Sequence, residues 1–78
     1  MMKSLHIESY KILLKWLSSK RLLAGITQQQ LSEELGKPQS FVSKYENAER
    51  RLDLIETIEI CSLLNADPHE IINLLKGN

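Results

Sequence analysis

One cysteine, Cys61, occurs in 78 residues. An internal disulfide is therefore excluded, which fits a reducing compartment. Cys61 falls in an apolar helical run with Ile58, Ile60, Leu63 and Leu64 and reads as a small buried side chain. A reactive thiol needs a basic neighbourhood, and none is visible. No apolar run approaches the roughly 18 residues needed to cross a bilayer. Near the N-terminus Lys11 and Lys15 interrupt the apolar residues, so the segment lacks the shape of a signal peptide. The expectation is a soluble, cytoplasmic protein. Catalytic apparatus is missing too: His6 and His69 are isolated, and there is no cysteine pair, Gly-rich phosphate loop or HExxH. Glu33-Glu34 reads as solvated helix surface. Neither an enzyme, a metal site nor a cofactor is expected.

Net charge is also missing. Ten basic residues balance ten acidic ones, which argues mildly against a nucleic-acid partner. The distribution softens that argument. Residues 1–25 hold Lys3, Lys11, Lys15, Lys20 and Arg21 against Glu8, a net of +4. Residues 26–52 balance four of each sign. Residues 53–78 hold Asp53, Glu56, Glu59, Asp67 and Glu70 against Lys76, a net of −4. If the basic end faces a phosphate backbone, the acidic end should face away, although several of these acids also stand at helix starts.

What is present is helical punctuation. The length makes one domain, 1–78, and a domain this small buries only about 60% of its unfolded surface. No repeat, linker or low-complexity tract interrupts it. A first helix is expected over about residues 7–24, with Leu13, Leu17 and Ala24 on one face, Leu14 and Arg21 beside them, and Ile12, Trp16 and Leu23 as a second stripe. Gly25 should end it. Thr27 with Gln30 is a capping box opening a second helix, with Leu31 and Leu35 inward and Gly36 as its stop. Lys37-Pro38 make a turn. A third helix is expected over about Gln39 to Asn47, with Val42 and Tyr45 inward and Gln39, Ser40, Ser43 and Lys44 outward. Asp53 with Glu56 opens a fourth, whose expected core face is Leu54, Ile58, Cys61 and Leu64. Asp67, Pro68 and Glu70 open a fifth, apolar on most sides through Ile71, Ile72, Leu74 and Leu75.

Two short helices, a tight turn and a row of glutamine, serine and lysine are what a helix in a DNA major groove uses on base edges and phosphates. The span from about Leu17 to Leu75 resembles the Cro/phage-repressor helix-turn-helix family, also called the xenobiotic-response-element (XRE) type. The resemblance rests on Arg21-x-x-x-Gly25-Ile26-Thr27-Gln28, Leu31-x-x-x-Leu35-Gly36, Gln39-Ser40-x-Val42-Ser43-Lys44-Tyr45-Glu46 and Arg51-x-Asp53. It implies an all-α, compact five-helix domain with the helix-turn-helix formed by helices 2 and 3.

Residue by residue, the resemblance implies base contacts from Gln39, Ser40 and Lys44. It implies phosphate contacts from Gln28, at a helix N-terminus suited to anions, and from Ser43, Asn47, Arg50 and Arg51. Glu49 could hold one of the two arginines in an ion pair. Arg21 and Glu46 are expected as a partly buried ion pair tying the first helix to the third. Three positions depart from the family. Pro38 stands where many members carry a Ser or Thr cap, so the third helix must rely on proline's fixed φ or start one residue later. Phe41 either meets a thymine methyl or folds back over Lys37 and the turn. Ala48 replaces a common glycine.

The function this implies is sequence-specific binding of double-stranded DNA by a homodimeric transcriptional regulator, with Ile71, Leu74 and Leu75 as the dimer contact. The alternative is a protein-interaction module, an antitoxin or adaptor, for which zero net charge and the Ile12–Trp16 stripe speak.

Overall fold

The computed structural model describes residues 2–77, with side chains from residue 8 onward; the side chain of His6 lies outside the described ones. Five helices follow one another: α1 (Met2–Leu23), α2 (Gln28–Glu34), α3 (Phe41–Glu46), α4 (Leu54–Leu64) and α5 (Pro68–Lys76). No strand occurs among the described residues.

The caps explain the boundaries. Thr27 Oγ1 accepts the Gln30 N–H at 3.0 Å, and Gln30 Oε1 accepts the Thr27 N–H at 2.9 Å. Asp53 and Glu56 repeat this reciprocal box at the start of α4, satisfying donors a helix start leaves unpaired. Asp67 caps α5 through the His69 N–H, and Pro68 opens it. At the other ends the chain turns through left-handed residues: Gly25 (φ 72°), Gly36 (φ 69°), Ala48 (φ 63°) and Asn65 (φ 55°). Each closes the same pair of hydrogen bonds. After α2, for example, Gly36 N–H meets Glu33 O and Lys37 N–H meets Ser32 O, both at 3.0 Å.

The core draws on every helix. Leu17, Leu31, Val42, Tyr45, Ile60 and Cys61 are essentially inaccessible, joined by Leu14, Trp16, Phe41, Leu64 and Ile71. Burying one such aliphatic or aromatic side chain contributes about 1.5–3 kcal/mol. Trp16 belongs to this core with Ile12 packed against it, so the second stripe of α1 serves mainly the chain's own interior. Leu23 does not follow: it is 81% exposed, and Ala24 is exposed as well.

Two apolar assignments need correction. In α4 the buried face is Ile60, Cys61 and Leu64, whereas Leu54 and Ile58 are 72% and 42% exposed. Apolar residues stand on every side of this helix between Glu56, Thr57, Glu59 and Ser62, so periodicity alone does not select the side that meets α1. In α5, Ile71 is buried in the chain's own core, which removes it from any surface offered to a second chain. Leu75 is half-buried and Leu74 exposed.

Candidate nucleic-acid interface

Between α2 and α3 the chain is locked by a bond across the turn. Ser32, fully buried on α2, accepts the main-chain N–H of Val42 at 3.1 Å. Val42 stands in the first turn of α3, where the N–H groups lack helical partners. Ser40, at the N-cap, provides no side-chain bond. The oxygen that a side-chain cap would supply comes instead from the neighbouring helix. Pro38 contributes its carbonyl, which accepts the Phe41 N–H at 2.9 Å. The helix consequently starts at Phe41, two residues later than the spacing predicts, and Gln39 and Ser40 occupy the turn that leads into it.

Phe41 points inward, 5% exposed. Its ring packs edge-on against Tyr45 at 5.6 Å, with Lys37 Nζ 5.6 Å and the Arg50 guanidinium 4.8 Å from its centroid. The packing alternative is therefore the observed one. With Phe41, Val42 and Tyr45 inward, Gln39, Ser40 and Lys44 are exposed and Ser43 is half-exposed. Ser43 Oγ donates to Ser40 O at 3.0 Å, which steadies the turn. Gln28, Gln29, Gln39, Ser40 and Ser43 line one open concavity of ≈ 580 Å³. Beside it, Lys37, Lys44 and Arg50 surround a smaller one of ≈ 310 Å³. Polar amides and hydroxyls are thus flanked by cations.

The orientation of this surface is held by an ion-pair cluster. Arg21 Nε lies 2.8 Å from Glu46 Oε2, and Nη2 lies 3.2 Å from Oε1. The remaining guanidinium nitrogen, Nη1, donates to Ile26 O at 2.9 Å. Both side chains are about nine-tenths buried. The bidentate geometry joins α1 to the end of α3. Gln28 enters the same cluster, its Nε2 donating to Glu46 Oε1 at 2.8 Å. One amide hydrogen of Gln28 is therefore committed inward, and the second remains for an external acceptor.

The loop after α3 separates two arginines with adjacent numbers. Arg50 is engaged: Nη1 and Nη2 donate to the two carboxylate oxygens of Glu56 at 3.0 and 2.8 Å, and Nη1 also reaches Arg51 O. The hydrogen bond to Arg50 is the largest influence holding the Glu56 carboxyl below its ordinary range, and the same bond raises the guanidinium. Glu56, rather than Glu49, is the partner. Arg51 makes no ion pair among the described residues; its guanidinium lies 4.7 Å above the Tyr10 ring. Asn47 caps α3 and is exposed. With Lys11 and Lys15 it lines a third concavity of ≈ 480 Å³. Lys11 and Lys15 belong to the basic end of the chain and Lys37 to the turn, whereas Ser32 and Tyr10 carry no expected role in the sequence. For Ser32 no local signal exists, because its partner Val42 lies ten residues on.

A helix-turn-helix family model matches residues 17–71. Among solved structures, an XRE-family like protein from Pseudomonas syringae pv. tomato str. DC3000 superposes with a TM-score of 0.91 at 47% identity, over 97% of this chain and 93% of that one. No curated protein matches. The chain belongs to the Cro/C1-type, or XRE, helix-turn-helix family of DNA-binding transcription regulators. No helix among the described residues is long and apolar enough to cross a membrane.

Proposed function

We propose that the protein binds a specific double-stranded DNA sequence as a homodimer, with α3 in the major groove. The observation that carries this reading is the outward row Gln39, Ser40 and Lys44 on a segment whose opposite face is buried. Gln39 can pair bidentately with adenine, and Lys44 can reach guanine or a phosphate. Gln28, through its uncommitted amide hydrogen, together with Ser43, Asn47 and Arg51, serves the sugar–phosphate backbone. Arg50 joins them if a phosphate competes with Glu56. Two copies would place their α3 segments roughly 34 Å apart, on an operator of two-fold symmetry.

The dimer contact rests on apolar surface that folding leaves open. Leu54 and Ile55 on α4 are 72% and 68% exposed, and Ile72 and Leu74 on α5 are 47% and 46% exposed. Leu74 and Leu75 remain in the proposed contact; Ile71 does not.

Selection of bound duplexes from a random DNA pool, at a stated salt concentration, tests the reading. A palindromic consensus supports both specificity and pairing of copies; recovery of random sequence contradicts it. The exposed Leu22 and Leu23 favour a second reading, a module whose main partner is a protein. Salt separates the two: phosphate contacts weaken steeply as it rises, whereas an apolar contact barely responds.

A further inference from the structure

We propose that Tyr10 is a positioning residue for DNA binding, holding the Arg50–Leu52 loop so that Arg51 meets a phosphate; this rests on the DNA-binding reading above. Tyr10 lies on α1 upstream of residues 17–71, which the family model covers. It nevertheless contacts the loop that follows α3. Its Oη accepts the Leu52 N–H at 3.1 Å and donates to Arg50 O at a longer 3.4 Å. One hydroxyl thus bridges the backbone on both sides of Arg51, while the ring beneath supports the Arg51 guanidinium at 4.7 Å. A guanidinium on an aromatic face loses little by turning its edge outward, because its in-plane N–H donors stay available. Arg50 is occupied by Glu56, so Arg51 is the loop's available cation. In a loop with no regular structure, this bridge acts beside the Arg50 contact to Arg51 O in fixing the arginine's height above the duplex. Tyr10 therefore serves the DNA-binding surface from α1 without touching DNA itself.

The test is a set of DNA titrations with the full chain at several salt concentrations. A selected duplex and a random duplex are titrated against wild type, Tyr10→Phe, Arg51→Ala and the double variant, with thermal melts alongside. Tyr10→Phe keeps the ring and removes only the hydroxyl. It should stay folded, weaken binding to both duplexes alike by roughly three- to tenfold, and leave sequence preference unchanged. In the Arg51→Ala background it should add nothing further. Arg51→Ala itself should lower the salt slope by about 0.9, one phosphate. Wild-type affinity in Tyr10→Phe, losses that multiply in the double variant, or unfolding of Tyr10→Phe would each overturn the proposal, the last by showing a purely structural strut. A wild type that binds neither duplex overturns the DNA-binding reading itself, and this inference falls with it; wild-type binding with an unaltered Tyr10→Phe overturns this inference alone.

Discussion

Ser32 and Val42 are joined by a hydrogen bond of 3.1 Å from the Val42 main-chain N–H to the Ser32 hydroxyl, and this bond links the two helices of the helix-turn-helix. Both residues are inaccessible to solvent, so no water can replace either partner. Ser32→Ala should therefore cost about 1–3 kcal/mol, the penalty of a buried N–H left unpaired. Urea unfolding measures it. A loss below about 0.5 kcal/mol, the range of an ordinary surface substitution, would show that the start of α3 is satisfied otherwise.

Glu46 receives donors from three directions: two from Arg21 and one from Gln28. Substituting Glu46 by Ala strands a buried guanidinium and should destabilise by about 3–5 kcal/mol. Replacing Arg21 and Glu46 together by apolar residues should cost much less than the two single losses added. A double-mutant cycle read by denaturation checks this; strict additivity would mean that the pair does not couple α1 to α3.

Ala48 adopts φ 63° after α3, in a region where a Cβ atom is strained by about 1–2 kcal/mol. Glycine relieves that strain but adds freedom to the unfolded chain, worth about 0.4–1 kcal/mol in the opposite direction. Ala48→Gly should stabilise by roughly 0.5–1 kcal/mol on this balance, raising the thermal midpoint without altering the hydrogen bonds from Ala48 N–H and Glu49 N–H to Tyr45 O and Lys44 O. A lowered midpoint would contradict it.

Alkali should unfold the protein through two interior groups. Burial raises the Tyr45 phenol and the Cys61 thiol above their ordinary values. Both stay protonated when folded at a pH where the unfolded chain ionises, so the unfolded state loses protons first. Their stabilising contribution is complete below about pH 8 and declines as pH rises past the free thiol and phenol values, about 8.5 and 10. Melting curves from pH 7 to 11 should show a falling midpoint, and Cys61→Ala should flatten the part near pH 9. A midpoint constant across that range would oppose this account.

How much of this was legible beforehand depended on how local each cause is. The helix starts at Thr27, Asp53 and Asp67, and the stops at Gly25 and Gly36, follow from neighbours within three or four residues, and the structure reproduces them. The Arg21–Glu46 pair was available through the family resemblance, because its spacing travels with the motif. The start of α3 was not legible, since the oxygen that meets the Val42 N–H in its first turn belongs to Ser32, ten residues back, and acts through tertiary contact. Nor was the inward face of α4: Leu54, Ile55 and Ile58 are as apolar as Ile60, Cys61 and Leu64, and only packing against α1 distinguishes them. Arg50 chose Glu56 over its neighbour Glu49 because the capping box had already fixed Glu56 beside the loop.

The central claim is that the segment after Gly36 reads DNA through its outward side chains. Comparing wild type with Gln39→Ala on the selected duplex and on random DNA at one salt concentration tests it most directly. The account predicts that the variant binds the selected site more weakly by about 1–3 kcal/mol while its affinity for random DNA stays unchanged. An intact site preference in Gln39→Ala would contradict it.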